Sequence, residues 1–342
     1  MKENNPIIHL NQATFVYYGQ KQPFFASDLN GWRKEYYLPF TSVENGKWKI
    51  DIELEQDAYM EYCFYINNRR VLDPLNPTKT PNGMGKNNNS FYMPGANPGL
   101  MEKYYGELDN KGKLEKVAVN TQGLIPGNLR NIVIYTPANF TPDTQLLIVL
   151  DGQDYLERAK ITRIVDYLIE NQIMQPIIMV MIESKSNSRT VEYTCSESNL
   201  LFINYVVIPY VEKITGIIQI QERPGDYGIL GASFGGLFAI FAGLRNPAIY
   251  GKVISQSGAF TIDQHPFVVW NLLDQKETVT FDAYMDVGKY EWLVETNIEF
   301  FNQIKIKSNK KCLFHVFNAG HNYVAWQNEL PQCLIYMFPK IK

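Results

Sequence analysis

The 342-residue chain lacks the cysteine pattern and the charge imbalance that identify several classes of protein. No two of its cysteines have the close spacing of a zinc ligand pair, and no disulfide framework is apparent. The net charge is −3 and the sequence pI is about 5.9, so no basic surface is available for nucleic acid or an anionic membrane. We therefore expect no nucleic-acid partner, no metal and no other cofactor. The cysteines are Cys63, Cys195, Cys312 and Cys333.

Long apolar runs are also missing. The longest, residues 200–211, contains Asn204 and Pro209 and is too short to span a bilayer. The first residues, Met1–Pro6, have no apolar core of the kind found in signal peptides. These features predict a cytoplasmic protein that does not act at a membrane; homo-oligomer formation is left open.

The hydrophobic content of 45% is enough for two cores. The spacing of the apolar residues changes near residue 105. In the first half, the apolar residues of 48–54 alternate with polar ones, which is typical of a strand with one solvated face. Several such strands predict a small β-sandwich over residues 1–105. The stretch 78–98 is rich in Asn, Gly and Pro and is predicted to be an irregular linker.

Residues 106–342 alternate between short apolar runs and helical patterns. Apolar runs that do not alternate, separated by helices, are typical of a mainly parallel sheet with helices on both faces, an α/β fold. The strand candidates are 132–135, 146–150, 177–181, 228–230, 253–254 and 281–287, and the helix candidates are 155–170, 199–213 and 237–244.

Residues 231–235, Gly-Ala-Ser-Phe-Gly, form a G-x-S-x-G motif between a predicted strand and a predicted helix. This is the setting of a nucleophile elbow, in which a sharp turn exposes the serine hydroxyl. Glycines at 231 and 235 allow strand and helix to pass closely. Ser233 is therefore the candidate nucleophile; the alternative is a tight turn in which Ser233 only caps the helix.

A serine needs a neighbouring base to take its proton. The chain contains four histidines. His9 lies near the N-terminus, His265 precedes a proline in a predicted loop, and His315 lies within a predicted strand. His321 follows that strand in a loop, where α/β sheets place catalytic groups. His321 is the candidate base.

The chain order of this fold, serine then acid then histidine, places the third residue between 233 and 321. Glu291 lies in the loop after the predicted strand 281–287, and Asp286 lies at the edge of that strand. Either carboxylate could orient the imidazole. We favour Glu291 and keep Asp286 as the alternative.

Two backbone sites are candidates for an oxyanion hole. The N–H of Phe234, directly after the nucleophile, is the first donor. The second donor is expected from Gly152 or Gln153, which follow an early predicted strand. A plain Asp-Gly turn at 151–152 is the alternative for that loop.

Several segments across residues 115–340 resemble the esterase-D-like α/β-hydrolases and, among them, the enterochelin (ferric siderophore) esterases. The resemblance implies ester hydrolysis through an acyl-enzyme, with a small-molecule ester as substrate and Glu291 as the catalytic acid. Arg189 is the single basic residue placed by a family-like motif, and it is a substrate-binding candidate or else a salt-bridge partner of Glu192. The matching segments are Val149–Gln153, Arg189–Tyr193, Ile208–Glu212, Gly231–Leu237, Val253–Gly258 and Gly320–Tyr323 with Trp326.

The first half resembles an early-set, glycogen-binding-type immunoglobulin-like module, on residues 25–32, 46–48, 61–64 and 73–74. The resemblance implies that an aromatic ring, from Trp32, Trp48 or Tyr62, could stack on a ligand, although alternation with Lys49 favours a core role for Trp48.

Two other functions stay open. A carbohydrate esterase would release feruloyl or acetyl groups and use the N-terminal module to hold glycan. A hydrolase-like protein without activity would only bind a partner, although such a protein has no physical need to keep Ser233, His321 and a loop carboxylate.

Overall fold

The computed structural model describes residues 4–340 of the chain. The structure comprises two compact units. The first contains residues 4–101 together with Gly288–Val294 and Val316–Ala325. The second contains Glu102–Val287, Glu295–His315 and residues 326–340.

The first unit contains two antiparallel sheets built from short strands. One sheet has the order β1-β2-β6-β5, and the other has the order β4-β3-β7-β10-β9, with β8 beside β7. The strands are β1 (Ile7–His9), β2 (Gln12–Tyr18), β3 (Phe24–Ser27), β4 (Leu38–Pro39), β5 (Thr41–Glu44), β6 (Lys47–Glu53), β7 (Tyr59–Ile66), β8 (Arg69–Val71), β9 (Lys79–Pro81) and β10 (Asn87–Tyr92).

The core of this unit is an aromatic cluster from both sheets. Phe15 lies 4.8 Å from the ring of Tyr62 and 4.9 Å from that of Phe25. Tyr62 is fully buried, and its hydroxyl donates to Asp73 at 2.7 Å, so it is a core residue and not a ligand platform. Trp48 packs against the same cluster and donates to the Gly19 carbonyl, which confirms its structural role.

The prediction that residues 78–98 form an irregular linker is wrong. This stretch contributes β9 and β10, and β10 pairs with β7 inside the sheet. Strand β10 begins with three asparagines, which hide the usual apolar pattern. Asn89 is nevertheless buried because its side chain bonds the backbone of Asp73 and Asn76, so its polar atoms are satisfied.

The second unit is built on an eight-stranded sheet with the order β11-β12-β14-β13-β15-β16-β19-β20. Strands β17 and β18 form a separate hairpin. The strands are β11 (Lys113–Asn120), β12 (Leu129–Thr136), β13 (Gln145–Val149), β14 (Ile177–Ile182), β15 (Tyr227–Ala232), β16 (Tyr250–Gln256), β17 (Thr261–Ile262), β18 (His265–Pro266), β19 (Asp282–Gly288) and β20 (Cys312–Phe317).

Helices separate these strands along the chain, and between residues 4 and 340 none of them is long and apolar enough to cross a membrane. The helical run predicted at 199–213 includes one π-helical turn, Ile203–Val207. The α-helices are α1 (Gly152–Glu157), α2 (Ile161–Glu170), α3 (Arg189–Tyr193), α4 (Glu197–Phe202), α5 (Ile208–Thr215), α6 (Phe234–Arg245), α7 (Val269–Asp274), α8 (Val294–Lys307) and α9 (Tyr323–Met337).

The sheet is mixed. Strands β14, β13, β15, β16 and β19 pair in parallel, and every residue of β13, β14 and β15 is buried, as expected for a sheet covered on both faces. Strand β12 pairs antiparallel with β14 and also with β11, so the mainly parallel sheet predicted from the sequence has an antiparallel edge at β11 and β12. The reason is that the short loop 121–128 joins them as a hairpin, and parallel strands need a much longer crossover.

A buried ion pair ties β12 to α3. Both carboxylate oxygens of Glu192 accept hydrogen bonds from Arg130, at 2.6 and 2.8 Å, and both side chains are at most 2% exposed. Ser188 also donates to Glu192 at 2.7 Å. These bonds hold the helix that carries Arg189.

Replacing Glu192 by alanine is expected to lower the free energy of unfolding by about 3–5 kcal/mol, because the charge of Arg130 would stay buried without its partner. Chemical denaturation measures the change. The matched control is Glu197→Ala, which removes the exposed pair with Arg245 and should cost at most about 0.5 kcal/mol. Equal losses in the two variants would contradict this account.

Candidate active site

Ser233 lies on a strained turn between β15 and α6. Its backbone has φ 59° and ψ −121°, a conformation that non-glycine residues rarely adopt. Its N–H donates to the Gln256 carbonyl at 2.9 Å, and its carbonyl accepts from Leu237 and Ala259. The residue is half-buried, so the turn is held by its backbone while the side chain keeps access to solvent. This is the geometry of a nucleophile elbow.

Gly231 is required by the close approach of strand and helix. A β-carbon at this position would lie 2.4 Å from the carbonyl carbon and oxygen of Gly235. No side chain fits there without moving the backbone of α6. The G-x-S-x-G spacing is therefore explained by packing around Ser233.

The strand next to the elbow carries a buried polar network centred on Gln256. Its side-chain oxygen accepts from the Tyr155 hydroxyl at 2.9 Å, and its amide donates to Asp286 at 3.1 Å and to the Trp326 carbonyl at 3.2 Å. Asp286, the alternative acid, is fully buried in this network. Its contact with Gln256 helps fix the strand whose carbonyl holds Ser233.

The loop after β13 places Asp151 and Gly152 beside the elbow. Asp151 has a left-handed backbone with φ 51°, and Gly152 begins α1. A β-carbon at Gly235 would lie 3.5 Å from the Asp151 carboxylate, so the starts of α1 and α6 are neighbours. The first N–H groups of a helix have no intrahelical acceptor, which makes those of Gly152, Gln153 and Phe234 suitable for binding an anion.

Arg189 holds this loop. Its guanidinium donates to both carboxylate oxygens of Asp151 at 2.7 Å and to the Ala232 carbonyl at 3.4 Å. Glu192, the partner suggested by the sequence, instead binds Arg130. A neighbouring clamp joins Gln153 to Ser184 through two hydrogen bonds of 3.0 Å.

In the first unit, Glu291 and His321 form a hydrogen-bonded pair. Glu291 Oε2 lies 2.5 Å from His321 Nδ1, and the Glu291 side chain is completely buried. Because a carboxylate can only accept, the proton is on Nδ1 and the lone pair is on Nε2. Glu291 Oε1 accepts from the Gly288 N–H at 2.6 Å, so both of its oxygens are oriented. Glu291, the preferred sequence candidate for the acid, is the carboxylate that is hydrogen-bonded to the His321 imidazole.

Two residues that the sequence did not single out for catalysis lie beside His321. The indole of Trp292 is 4.9 Å from the imidazole, centroid to centroid, and is 47% exposed. Asp28 is 2% exposed and belongs to the segment Ser27–Trp32, for which the sequence predicted only a place in the N-terminal module. Trp292 could have been found from the sequence because it is adjacent to Glu291. No such signal exists for Asp28, because it lies 293 positions before His321.

The other histidines have different surroundings. His315, within β20, pairs with Glu329 at 2.7 Å, and this hydrogen bond raises the pKa of its imidazole. His265 is exposed in the β18 hairpin, and His9 is exposed at the end of β1. Of the four histidines, His321 is the one that a buried loop carboxylate orients.

The comparisons with known proteins concern the family and the fold of the chain. The family model described as "Putative esterase" matches residues 125–337, more than half of the chain. The Iron(III) enterobactin esterase of Escherichia coli (strain K12) is 27% identical over 276 residues, which are 78% of this chain and 66% of that protein. The Iron(III) enterobactin esterase of Dickeya dadantii (strain 3937) is 23% identical over 326 residues, which are 87% of this chain and 72% of that protein. The matched region thus spans just under two thirds of the E. coli relative.

Among solved structures, the enterobactin esterase from Shigella flexneri, determined in the presence of enterobactin, is similar over 98% of this chain and 96% of that chain. The TM-score is 0.76 and the identity is 20%, so the likeness concerns the fold. With the family model, it shows an α/β-hydrolase-like architecture, which agrees with the sheet described above. The chain belongs to the esterase family whose model it matches.

Proposed function

We propose that the protein is a serine carboxylic-ester hydrolase in which Ser233 is the nucleophile, His321 the general base and Glu291 the acid that orients it. The observation that carries this proposal is the 2.5 Å contact between buried Glu291 and His321 Nδ1, because it leaves the lone pair on Nε2, the atom that a triad uses. The strained turn at Ser233 supports the same assignment.

In the proposed reaction, His321 Nε2 takes the proton of the Ser233 hydroxyl as Oγ attacks the ester carbonyl carbon. Negative charge develops on the carbonyl oxygen, and the N–H groups of Phe234 and of Gly152 or Gln153 bind it. Glu291 remains ionised and stabilises the imidazolium. The start of a helix is suited to this charge because its first N–H groups have no intrahelical acceptor and lie at the positive end of the helix dipole.

The tetrahedral intermediate then releases the alcohol, which takes the proton from His321 Nε2, and the acyl group stays on Ser233 Oγ. Water attacks the acyl carbonyl while His321 accepts its proton. The second intermediate releases the carboxylic acid, and the proton returns to Ser233. No metal or cofactor is needed for these steps.

Arg189 has two proposed roles, substrate contact or support of the oxyanion loop. Its bonds to both oxygens of Asp151 support the second role, because Asp151 immediately precedes Gly152. Asp151 offsets much of the positive charge of Arg189. Because the guanidinium is partly exposed, its outer edge could still contact a ligand.

For the substrate, we propose a siderophore-like ester with an aromatic acyl group. The relatives named as iron(III) enterobactin esterases favour this class. The exposed indole of Trp292 beside His321 is a suitable stacking surface for such a ring. The four free cysteines support our proposal of a cytoplasmic location, where thiols stay reduced.

We also propose that residues 1–105 form an immunoglobulin-like module and residues 106–342 the catalytic domain. The two antiparallel sheets of short strands around one aromatic core support this description.

Parallel hydrolysis assays test the substrate class. A ferric tris-catecholate ester, a feruloylated sugar and an acetyl aryl ester would be compared by kcat/KM under the same conditions. We expect the catecholate ester to be preferred by at least about tenfold over the other two. Preference for the feruloylated sugar would favour a carbohydrate esterase, and no turnover of any ester would favour a binding protein.

Replacing Trp292 by alanine is expected to raise KM for the catecholate ester by about fivefold to tenfold, because a stacked aromatic pair contributes about 0.5–1.5 kcal/mol beyond its buried area. The KM for the acetyl ester should change by less than twofold. Steady-state kinetics on both substrates measures the difference. An equal change for both would exclude Trp292 as the surface that selects the aromatic ring.

A further inference from the structure

We infer that Asp28 is a positioning residue for His321: its carboxylate packs on the backbone of Gly320 and places a second negative charge beside the His321–Glu291 pair. This inference rests on the proposed function, because it gives Asp28 a part in the same proton transfer. It assigns a direct contribution to the N-terminal strand-rich part of the chain.

The contact between Asp28 and the loop of His321 is unusually close. A β-carbon at Gly320 would lie 2.0 Å from Asp28 Oδ2, so only glycine fits beside the carboxylate. Asp28 Oδ2 is buried, and within residues 4–340 it has no hydrogen-bond partner. Asp28 Oδ1 accepts from the indole N–H of Trp32 at 2.8 Å. The carboxylate is therefore hydrogen-bonded by Trp32 through one oxygen, and its other oxygen packs against Gly320, the residue before His321.

The chain adopts unfavourable backbone geometry to build this contact. Asp28 begins a 3-10 turn in which Asn30 bonds the Ser27 N–H at 3.1 Å and the Phe25 carbonyl at 2.9 Å. The turn ends in two consecutive left-handed residues, Gly31 with φ 60° and Trp32 with φ 57°. The second is a bulky residue, for which this conformation costs free energy. The strained residue, Trp32, is the one whose indole N–H donates to Asp28.

Asp28 is also an electrostatic cost to the folded state. Burial raises the pKa of Asp28, the negative charge of Glu291 adds to this effect, and the net pKa is about 6 instead of the usual 3.8. The hydrogen bond from Trp32 and the interactions with His321 lower the pKa but do not restore it. An ionised Asp28 therefore destabilises the protein at neutral pH, and a residue kept only for folding would not need the charge.

The benefit of the charge is expected during catalysis. When His321 takes a proton from Ser233, the imidazole becomes positive while Glu291 and Asp28 are already in place. A fixed negative charge stabilises that cation without rearrangement, so the gain falls in the transition state and not in substrate binding. The same contact keeps the loop at Gly320 from shifting the imidazole.

The test is Asp28→Asn, which keeps the shape and removes the charge. We expect kcat for an activated aryl ester to fall by about tenfold to 100-fold with KM changed by less than about twofold, because the lost charge stabilises the imidazolium of the transition state and not the bound substrate. At pH 8, the melting temperature of the variant should be at least that of the wild type and up to several degrees higher. The raised pKa of Asp28 gives the direction of this change. The free energy of unfolding of the wild type falls as the pH rises from about 4 through about 6, because Asp28 ionises less readily in the folded state. The variant has no carboxylate at this position and avoids the loss.

The control is Asp57→Asn, since Asp57 accepts from Asn318 at 2.7 Å in the same unit but is exposed and does not contact His321. It should keep the wild-type kcat. A normal kcat in Asp28→Asn would overturn the inference, and so would a lower kcat accompanied by a lower melting temperature at pH 8, which indicates a structural role alone. Ser233→Ala, assayed in parallel, distinguishes a failure of the proposed function from a failure of the role of Asp28. If Ser233→Ala stays active, the proposed function is wrong. If Ser233→Ala is inactive and Asp28→Asn keeps its activity, only the role of Asp28 is wrong.

Discussion

Replacing Ser233 by alanine is expected to lower kcat for an activated aryl ester by about 10³-fold to 10⁶-fold, because the variant has no hydroxyl to form the acyl-enzyme. The residual rate would come from substrate binding and the oxyanion donors of Phe234 and Gly152. The substitution removes one oxygen from a half-buried side chain, so the fold should persist. Steady-state kinetics, with circular dichroism to verify folding, measures the effect.

Ser196→Ala is the matched control for the nucleophile. The Ser196 side chain caps α4 by accepting from the Asn199 N–H at 3.2 Å. Its loss should cost about 1 kcal/mol of stability and leave kcat unchanged. A Ser233→Ala variant that keeps more than about a tenth of the wild-type rate would mean that another residue attacks the ester.

Replacing Glu291 by glutamine is the second large effect, with kcat expected to fall by about 10⁴-fold. The amide can donate a hydrogen bond to Nδ1 of His321, which favours the tautomer with its proton on Nε2. That tautomer cannot accept the proton of Ser233. The variant should keep its KM, and the same assay measures both constants.

Asp286→Asn tests the alternative acid by the same assay. Asp286 binds the Gln256 amide at 3.1 Å, so its replacement should disturb the strand beneath Ser233 and lower stability more than it lowers kcat. If Asp286→Asn loses more activity than Glu291→Gln, the assignment of the acid is reversed.

The local features of the active site could be predicted from the sequence because each depends on neighbours in the chain. A strand, a G-x-S-x-G turn and a helix are contiguous, and the turn at Ser233 has the strain that this pattern implies. The acid could be narrowed to Glu291 or Asp286 by chain order, and the choice between them depends on which carboxylate reaches an imidazole 30 residues away. The periodicity of a strand gives no information about the distance between these two side chains in the folded protein.

Features that depend on contacts between distant segments could not be predicted. Strand β10 was missed because its asparagines look like a turn, yet the buried amide of Asn89 is satisfied by the backbone of 73–78. Asp28 was assigned to a structural motif because nothing in residues 25–32 indicates that Gly320 will pack on it. Both cases involve buried polar groups whose partners come from tertiary structure, and hydrophobic patterns do not detect them.

The most direct test of the central claim is labelling with a fluorophosphonate followed by peptide mass spectrometry. The account predicts a single phosphonyl group on Ser233 in the wild type, none in Ser233→Ala, and labelling slowed by at least about 100-fold in His321→Ala, since the serine then has no base. Labelling at another residue, or an unchanged rate without His321, would contradict it.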